Sequence, residues 1–161
     1  MPPCYLDSMK TILLLLLAAG FASTASDPAG FYLWKASELQ ALSHTLAPKL
    51  NKNQMISEPL AAVHNYSFSA VLRRTSGEAE VHETHADIFV IESGAPTLVI
   101  GGKVEHPKTT QPHEIRGTGI VGGVEKKLGP GDVLTIPPDT PHQMKIEPGQ
   151  EVVYLAMKVA Q

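Results

Sequence analysis

Gly131-Asp132-Val133-Leu134-Thr135-Ile136-Pro137-Pro138-Asp139-Thr140-Pro141-His142 is the stretch that decides the fold. Gly131-Asp132 forms a turn, the next four residues a short apolar strand, and Pro137-Pro138-Asp139 a second turn that delivers a single histidine. About fifty residues earlier stands its counterpart, Glu80-Val81-His82-Glu83-Thr84-His85-Ala86-Asp87, which runs on to Gly94. That segment packs two imidazoles and three carboxylates into eight residues. Their order and separation describe two halves of one site inside a small β-barrel.

Strand periodicity says which of these side chains can meet. Side chains alternate faces along a strand, so Glu80 and His82 share one face and Val81 and Glu83 the other. Asp87 shares a face with Phe89 and Ile91, and His142 with Met144 and Ile146. Each ionisable residue therefore leads an otherwise apolar face. Burying such a group costs several kcal/mol unless it is paired or bound to a metal. Convergence of Glu80, His82, Asp87 and His142 removes that cost for all four. Imidazole and carboxylate ligands together suit a divalent transition metal: Fe, Mn, Zn, Ni or Co. The competing reading is a solvated hairpin, in which Glu80 and His82 point outward.

The flanking sequence has the texture of an all-β domain. Strands are expected over 65–73, 78–82, 87–93, 96–101, 124–128, 132–136, 142–147 and 151–159, separated by Gly and Pro signals. About eight short strands with regular punctuation point to a sandwich, jelly roll or small barrel. The segment 103–123, rich in Gly and Thr and carrying His106, His113 and Arg116, reads as a long loop of the kind that is often functional. His64 and His106 read as structural or exposed. Residues 26–60 read as a lead-in. There Leu39, Leu42, Leu46 and Leu50 recur at helical spacing after the capping-box pattern Ser37-Glu38-Leu39-Gln40, so one helix from Ser37 to Ala47 or Leu50 is expected, limited by Pro48. The barrel domain is expected over 61–161.

Lys10, the apolar run 11–19 and the small residues up to Ala25 describe a secretory signal peptide over residues 1–25. The apolar run is shorter than the ~20 residues of a transmembrane helix. Met9-Lys10 is itself a natural start, which leaves residues 1–8 as an over-extended beginning. The protein is expected to be exported, to the periplasm or beyond, with no stable membrane anchor once the signal is removed. Cys4 is the only cysteine of the 161 residues and lies in the signal region, so the mature chain would have no disulfide and no thiolate ligand. The remaining length is enough to bury a core unaided. Removing Lys10 and Asp7 leaves 12 basic against 15 acidic side chains, the same net charge of −3. Lys and Arg are scattered, and nucleic-acid binding would need a basic stripe.

At these residues the chain resembles the cupin superfamily. Gly131, Pro137 and His142 stand at the spacings of its second motif, with Asp139 in place of a Gly and Ile146 in place of an Asn. In the first motif Gly94 fixes the register: Asp87 stands for the usual Glu, His82 for the second His, and Glu80 for the first His. Arg74 occupies the opening Gly position, Gly77 being the nearest. The resemblance covers roughly residues 61–159 and implies a cupin-type jelly-roll β-barrel with one N-terminal helix. It implies a mononuclear metal on Glu80, His82, Asp87 and His142, with a small organic substrate beside it. Oxygenase, isomerase or decarboxylase-like chemistry would follow, with the metal as Lewis acid. His85 could replace Asp87 or act as acid/base at the rim; His85, Glu83 and Tyr66 are the candidates for proton transfer. The family also implies a homodimer. The alternative is a non-catalytic module that captures a sugar or organic acid without metal. One fold hosts many functions, so the reaction has to be argued from the site.

Overall fold

A computed structural model of the chain describes residues 27–161; the expected signal peptide lies outside the described residues. The leucine stripe forms helix as expected, but in pieces. Single turns α1 (Ala36–Gln40) and α2 (Leu42–Leu46) break at Ala41 and run into a 3-10 turn at Ala47–Lys49, which contains Pro48. The start is Lys35 rather than Ser37: its backbone N–H donates to the Glu38 carboxylate at 2.7 Å. Leu42 and Leu46 are buried, with Leu39 and Leu50 packed beside them. Each fully buried leucine contributes about 1.5–3 kcal/mol.

Thirteen strands follow: β1 (Met55–Val63), β2 (Tyr66–Arg73), β3 (Ala79–His82), β4 (His85–Ser93), β5 (Thr97–Ile100), β6 (Lys103–Glu105), β7 (Lys108–Gln111), β8 (Glu114–Gly117), β9 (Gly119–Val121), β10 (Val124–Lys127), β11 (Val133–Ile136), β12 (His142–Lys145) and β13 (Val152–Ala160). All eight expected strands are present. Two findings differ from the sequence reading. Strand structure begins at Met55, ahead of the expected boundary at 61, and the segment 103–123 contains four strands rather than a bare loop.

The strands form two antiparallel sheets, in the order β1-β2-β13-β4-β11 and β10-β5-β12-β3-β8-β7, with β6-β9 as a separate ribbon. The main core lies between the sheets and takes Val71, Phe89, Ile91, Leu98, Ile136, Met144, Ile146, Val152 and Tyr154. A second cluster lies on the other face of the five-stranded sheet, where Ala70, Leu72, Val153 and Leu155 meet Leu42 and Leu46. The period of two thus explains why Ala70, Val71 and Leu72 of β2 and the run from Val152 to Ala156 of β13 are continuously apolar: both faces are covered there. Along the inner face of β13 the order is Val152, Tyr154, Ala156, Lys158. The inter-sheet space therefore runs from a dry core to a charged end, and the site lies at the charged end.

Two turn residues tie this end together. Gly94 has φ +89°, and a Cβ there would lie 2.2 Å from the Glu151 carbonyl oxygen, so no other residue fits. Asp139, standing where the resemblance has Gly, has φ +57°, a left-handed conformation that Asp tolerates better than most side chains. Its backbone N–H donates to the His82 carbonyl at 2.9 Å, joining the two motif segments. Among the described residues no helix is long and apolar enough to cross a membrane.

Candidate metal centre

Strand register assembles the site. In the six-stranded sheet His142 of β12 stands directly across from Glu80 of β3, and Glu80 directly across from Arg116 of β8. Two residues along β3, His82 stands across from Glu114. In the facing sheet Asp87 of β4 is the cross-strand neighbour of Lys158 of β13. One sheet supplies Glu80, His82 and His142, and the other supplies Asp87 and a cation.

His82, Asp87 and His142 are 2%, 3% and 3% exposed; Glu80, at 18%, lies at the rim. The ligand-type atoms of Glu80, His82 and His142 all fall within 4.8 Å of one another. Asp87 Oδ2 lies 3.2 Å from His82 Nε2 and 3.4 Å from His142 Nε2. The other ring nitrogens are fixed: His82 Nδ1 is 2.6 Å from Glu114 Oε2, and His142 Nδ1 is 3.0 Å from the Thr140 carbonyl oxygen. Both acceptors require a proton on Nδ1, so in the neutral rings the lone pair sits on Nε2. Both Nε2 atoms are buried and have no hydrogen-bond partner; the nearby carboxylates are close enough for ion pairing but off the ring's donor direction. Two orphaned imidazole nitrogens aimed at one point beside carboxylates are what a divalent ion would satisfy, and the donor set fits the group.

Without an ion the same atoms form a charged network. Arg116 Nη1 pairs with Glu80 Oε1 at 2.5 Å, and Lys158 Nζ lies 3.4 Å from Asp87 Oδ1. Burial alone would raise the Glu80 pKa, but its contact with His82 and the Arg116 charge hold it down to about 2. Burial would likewise disfavour His82 as a cation, yet Asp87 and Glu80 raise it to about 9. Asp87 is lowered by the two imidazoles and Lys158, against its own burial. A metal bound at His82 Nε2 would displace a proton from the ring.

The cavity beside this cluster measures about 180 Å³ and is lined by Val71, Phe89 and Met144 as well as by the charged residues. None of the three proton-transfer candidates lines it. Tyr66 projects from the outer face of β2, edge-on to Phe68 at 5.8 Å, because even-numbered positions of β2 face away from the cavity. Glu83 sits in the turn after β3 and pairs with exposed His113 at 3.0 Å. His85 opens β4, contacts the Thr84 hydroxyl at 3.0 Å, and shares an adjoining depression with His64 and Tyr66. Sequence reasoning missed Lys158, and it left Glu114 and Arg116 on a loop, read as a surface turn. The alternation Glu114-Ile115-Arg116 was the available signal.

No family model matches the chain, and no curated protein matches it significantly. Solved structures do. A protein of Thermus thermophilus designated TT1209 superposes with a TM-score of 0.53 at 14% identity, over 73% of this chain and 93% of that one. An uncharacterized conserved protein with a double-stranded beta-helix domain, from Klebsiella pneumoniae, gives 0.51 at 12% identity, over 68% and 80%. A cupin-like protein from Thermotoga maritima gives 0.48 at 18% identity, over 65% and 68%. Sheet order and the first two superpositions agree on the fold: an all-β double-stranded β-helix, a jelly-roll barrel.

Proposed function

We propose that the chain is an exported protein that holds one divalent transition metal on Glu80, His82 and His142, with Asp87 next to it, and binds a small organic molecule in the adjoining cavity. The observation that carries this is the pair of buried Nε2 atoms without partners, each on a ring locked by its Nδ1. Two histidines and one carboxylate with positions left open form the donor set of non-haem iron oxygenases, which puts oxygenase chemistry ahead of isomerase or decarboxylase-like chemistry. The metal would act as a Lewis acid that orients substrate oxygens. Glu114 and the Thr140 carbonyl orient the imidazoles, Phe89 and Met144 exclude water, and Arg116 and Lys158 face the substrate. A homodimer is part of the proposal.

The test is metal content by mass spectrometry on protein purified without chelators, beside Glu80→Ala and His142→Ala. Close to one bound equivalent, lost in both variants, is the expected result. No metal as purified, and none taken up from added Fe, Mn, Ni, Co or Zn, would sink the metal reading. A metal-free binding module would then lead, supported by the ion pairs Arg116–Glu80 and Lys158–Asp87, which partly close the network on its own.

A further inference from the structure

The metal reading places cations against the ligand but does not say which chemical group they would meet. Arg73, Arg116 and Lys158 all line it. Arg73 Nε donates to the Tyr154 hydroxyl at 3.3 Å, and Arg116 is paired with Glu80. Lys158 differs: its Nζ is buried and makes no hydrogen bond, although Asp87 Oδ1 lies 3.4 Å away and Glu114 Oε1 3.8 Å. Its ammonium is held by two long ion pairs and by no hydrogen bond, which leaves donor capacity for a ligand, while the side chain as a whole is 38% exposed toward the mouth. Arg116 Nη2 reaches the same Glu114 carboxylate at 3.5 Å, also too long for a strong bond. Glu114 therefore marks a spot that both cations face and that neither is satisfied by.

Charge adds a second argument. Arg73, Arg116 and Lys158 stand against Glu80, Asp87 and Glu114, so the fixed charges leave no surplus of negative charge to offset a metal ion. A divalent ion would bring further positive charge into the cavity, and an anionic ligand offsets it. Arg116 and Lys158 also border a second, polar depression lined by Thr110 and Gln111. They stand at the junction of an apolar-walled cavity and a polar mouth.

We infer that the ligand is a small organic carboxylate whose anionic group is clasped by Lys158 and Arg116, with its apolar part against Phe89 and Met144. This rests on the metal reading for the ligand's place beside the ion. The cavity is smaller than the ~300 Å³ typical of drug-sized sites, so the acid is short. Lys158 gives a charge and ammonium donors that no hydrogen bond occupies, and Arg116 gives a planar fork suited to a carboxylate.

The experiment is a ligand-observed NMR titration of the zinc-treated protein with acetate, butyrate and benzoate, each against its amide, which keeps the shape and removes the charge. At least one acid should bind tenfold or more tightly than its amide. Lys158→Met should erase that preference, and Lys158→Arg should keep it to within about threefold. Acids and amides of equal affinity, no binding by any acid, or an unchanged preference in Lys158→Met would overturn the inference. Zinc content is measured on the same samples. An acid preference that needs Lys158 in protein that takes up no zinc would uphold the carboxylate site and refute the metal centre. Zinc bound with no acid preference would do the reverse.

Discussion

The Glu114 carboxylate lies 2.6 Å from His82 Nδ1, and the antiparallel register of β3 and β8 places the two residues directly opposite each other. A carboxylate in that position fixes the tautomer and ring orientation of the imidazole and makes Nε2 a stronger donor. Glu114→Gln keeps the shape and loses the charge. Its Kd for zinc, measured by competition with a chromogenic chelator, is expected to rise by about 10- to 100-fold while the circular dichroism spectrum is unchanged. An unaltered Kd would show that Glu114 serves only to balance Arg116 and Lys158.

Acid–base linkage gives the second prediction, for metal-free protein. Glu80 is held down to about 2, below its ordinary 4.5, so its stabilisation is present above about pH 4.5 and is lost as the pH falls toward 2. His82 is raised from 6.5 to about 9, so its stabilisation is present below about pH 6.5 and is lost as the pH rises through 9. These two groups favour a stability plateau between about pH 4.5 and 6.5. The alkaline limb amounts to a few kcal/mol on the linkage scale of about 1.4 kcal/mol per pKa unit. Thermal unfolding of wild type and His82→Asn across pH 5–10 checks it. The variant should be less stable at pH 6 and should lose the fall between 6.5 and 9. A parallel decline in both proteins would remove His82 as its cause.

Gly94 and Gly131 both adopt φ +89°, yet only Gly94 has backbone in its way. Gly131→Ala should cost only the left-handed conformation, about 1–2 kcal/mol. Gly94→Ala adds a collision with the Glu151 carbonyl oxygen, and overpacking costs a further ~1–3 kcal/mol. Urea midpoints with matched slopes should rank Gly94→Ala well below Gly131→Ala. Equal midpoints would mean that the β13 entry yields without cost.

Legibility in the sequence followed physical contrast. Strands bounded by sharp turns could be read: β4, β5, β11 and β12 lie between Gly and Pro signals, and β13 stands out as an apolar run because both of its faces are covered. Met55–Val63 was hidden because Pro59 interrupts it, and Pro59 is accommodated at an irregularity in the β1–β2 register, on an edge strand that needs fewer N–H donors. Lys108–Gln111 is exposed along its whole length and carries no periodic signal. In the site, Glu80, His82 and His142 were legible as polar residues leading apolar faces, and the structure brings them together. Asp87 joins them but is shared with Lys158. Arg116 and Lys158 could not be assigned to the pocket, since a cation at a strand end reads equally well as solvated. Tyr66 was offered for proton transfer by residue type alone; strand parity puts it on the face of β2 opposite Val71 and Arg73, which line the cavity.

Leu46 tests whether the helical turns belong to the barrel or merely precede it. It is 2% exposed and packs with Leu72, Val153 and Leu155 on the face of the five-stranded sheet that points away from the candidate metal site. Leu46→Ala removes a buried branched side chain that the closely packed sheet cannot collapse to fill, at about 2–5 kcal/mol. The inner face of the same strands carries Tyr154 and Lys158, but the two faces share only backbone, so the metal site should keep its geometry. A single cooperative unfolding transition, shifted down by that amount, with the zinc Kd within about twofold of wild type, is the expected pair of results. Two separate transitions would show that the helical turns unfold on their own. A large loss of zinc affinity at native-like stability would show instead that packing on the outer face sets the spacing of Asp87 and Lys158.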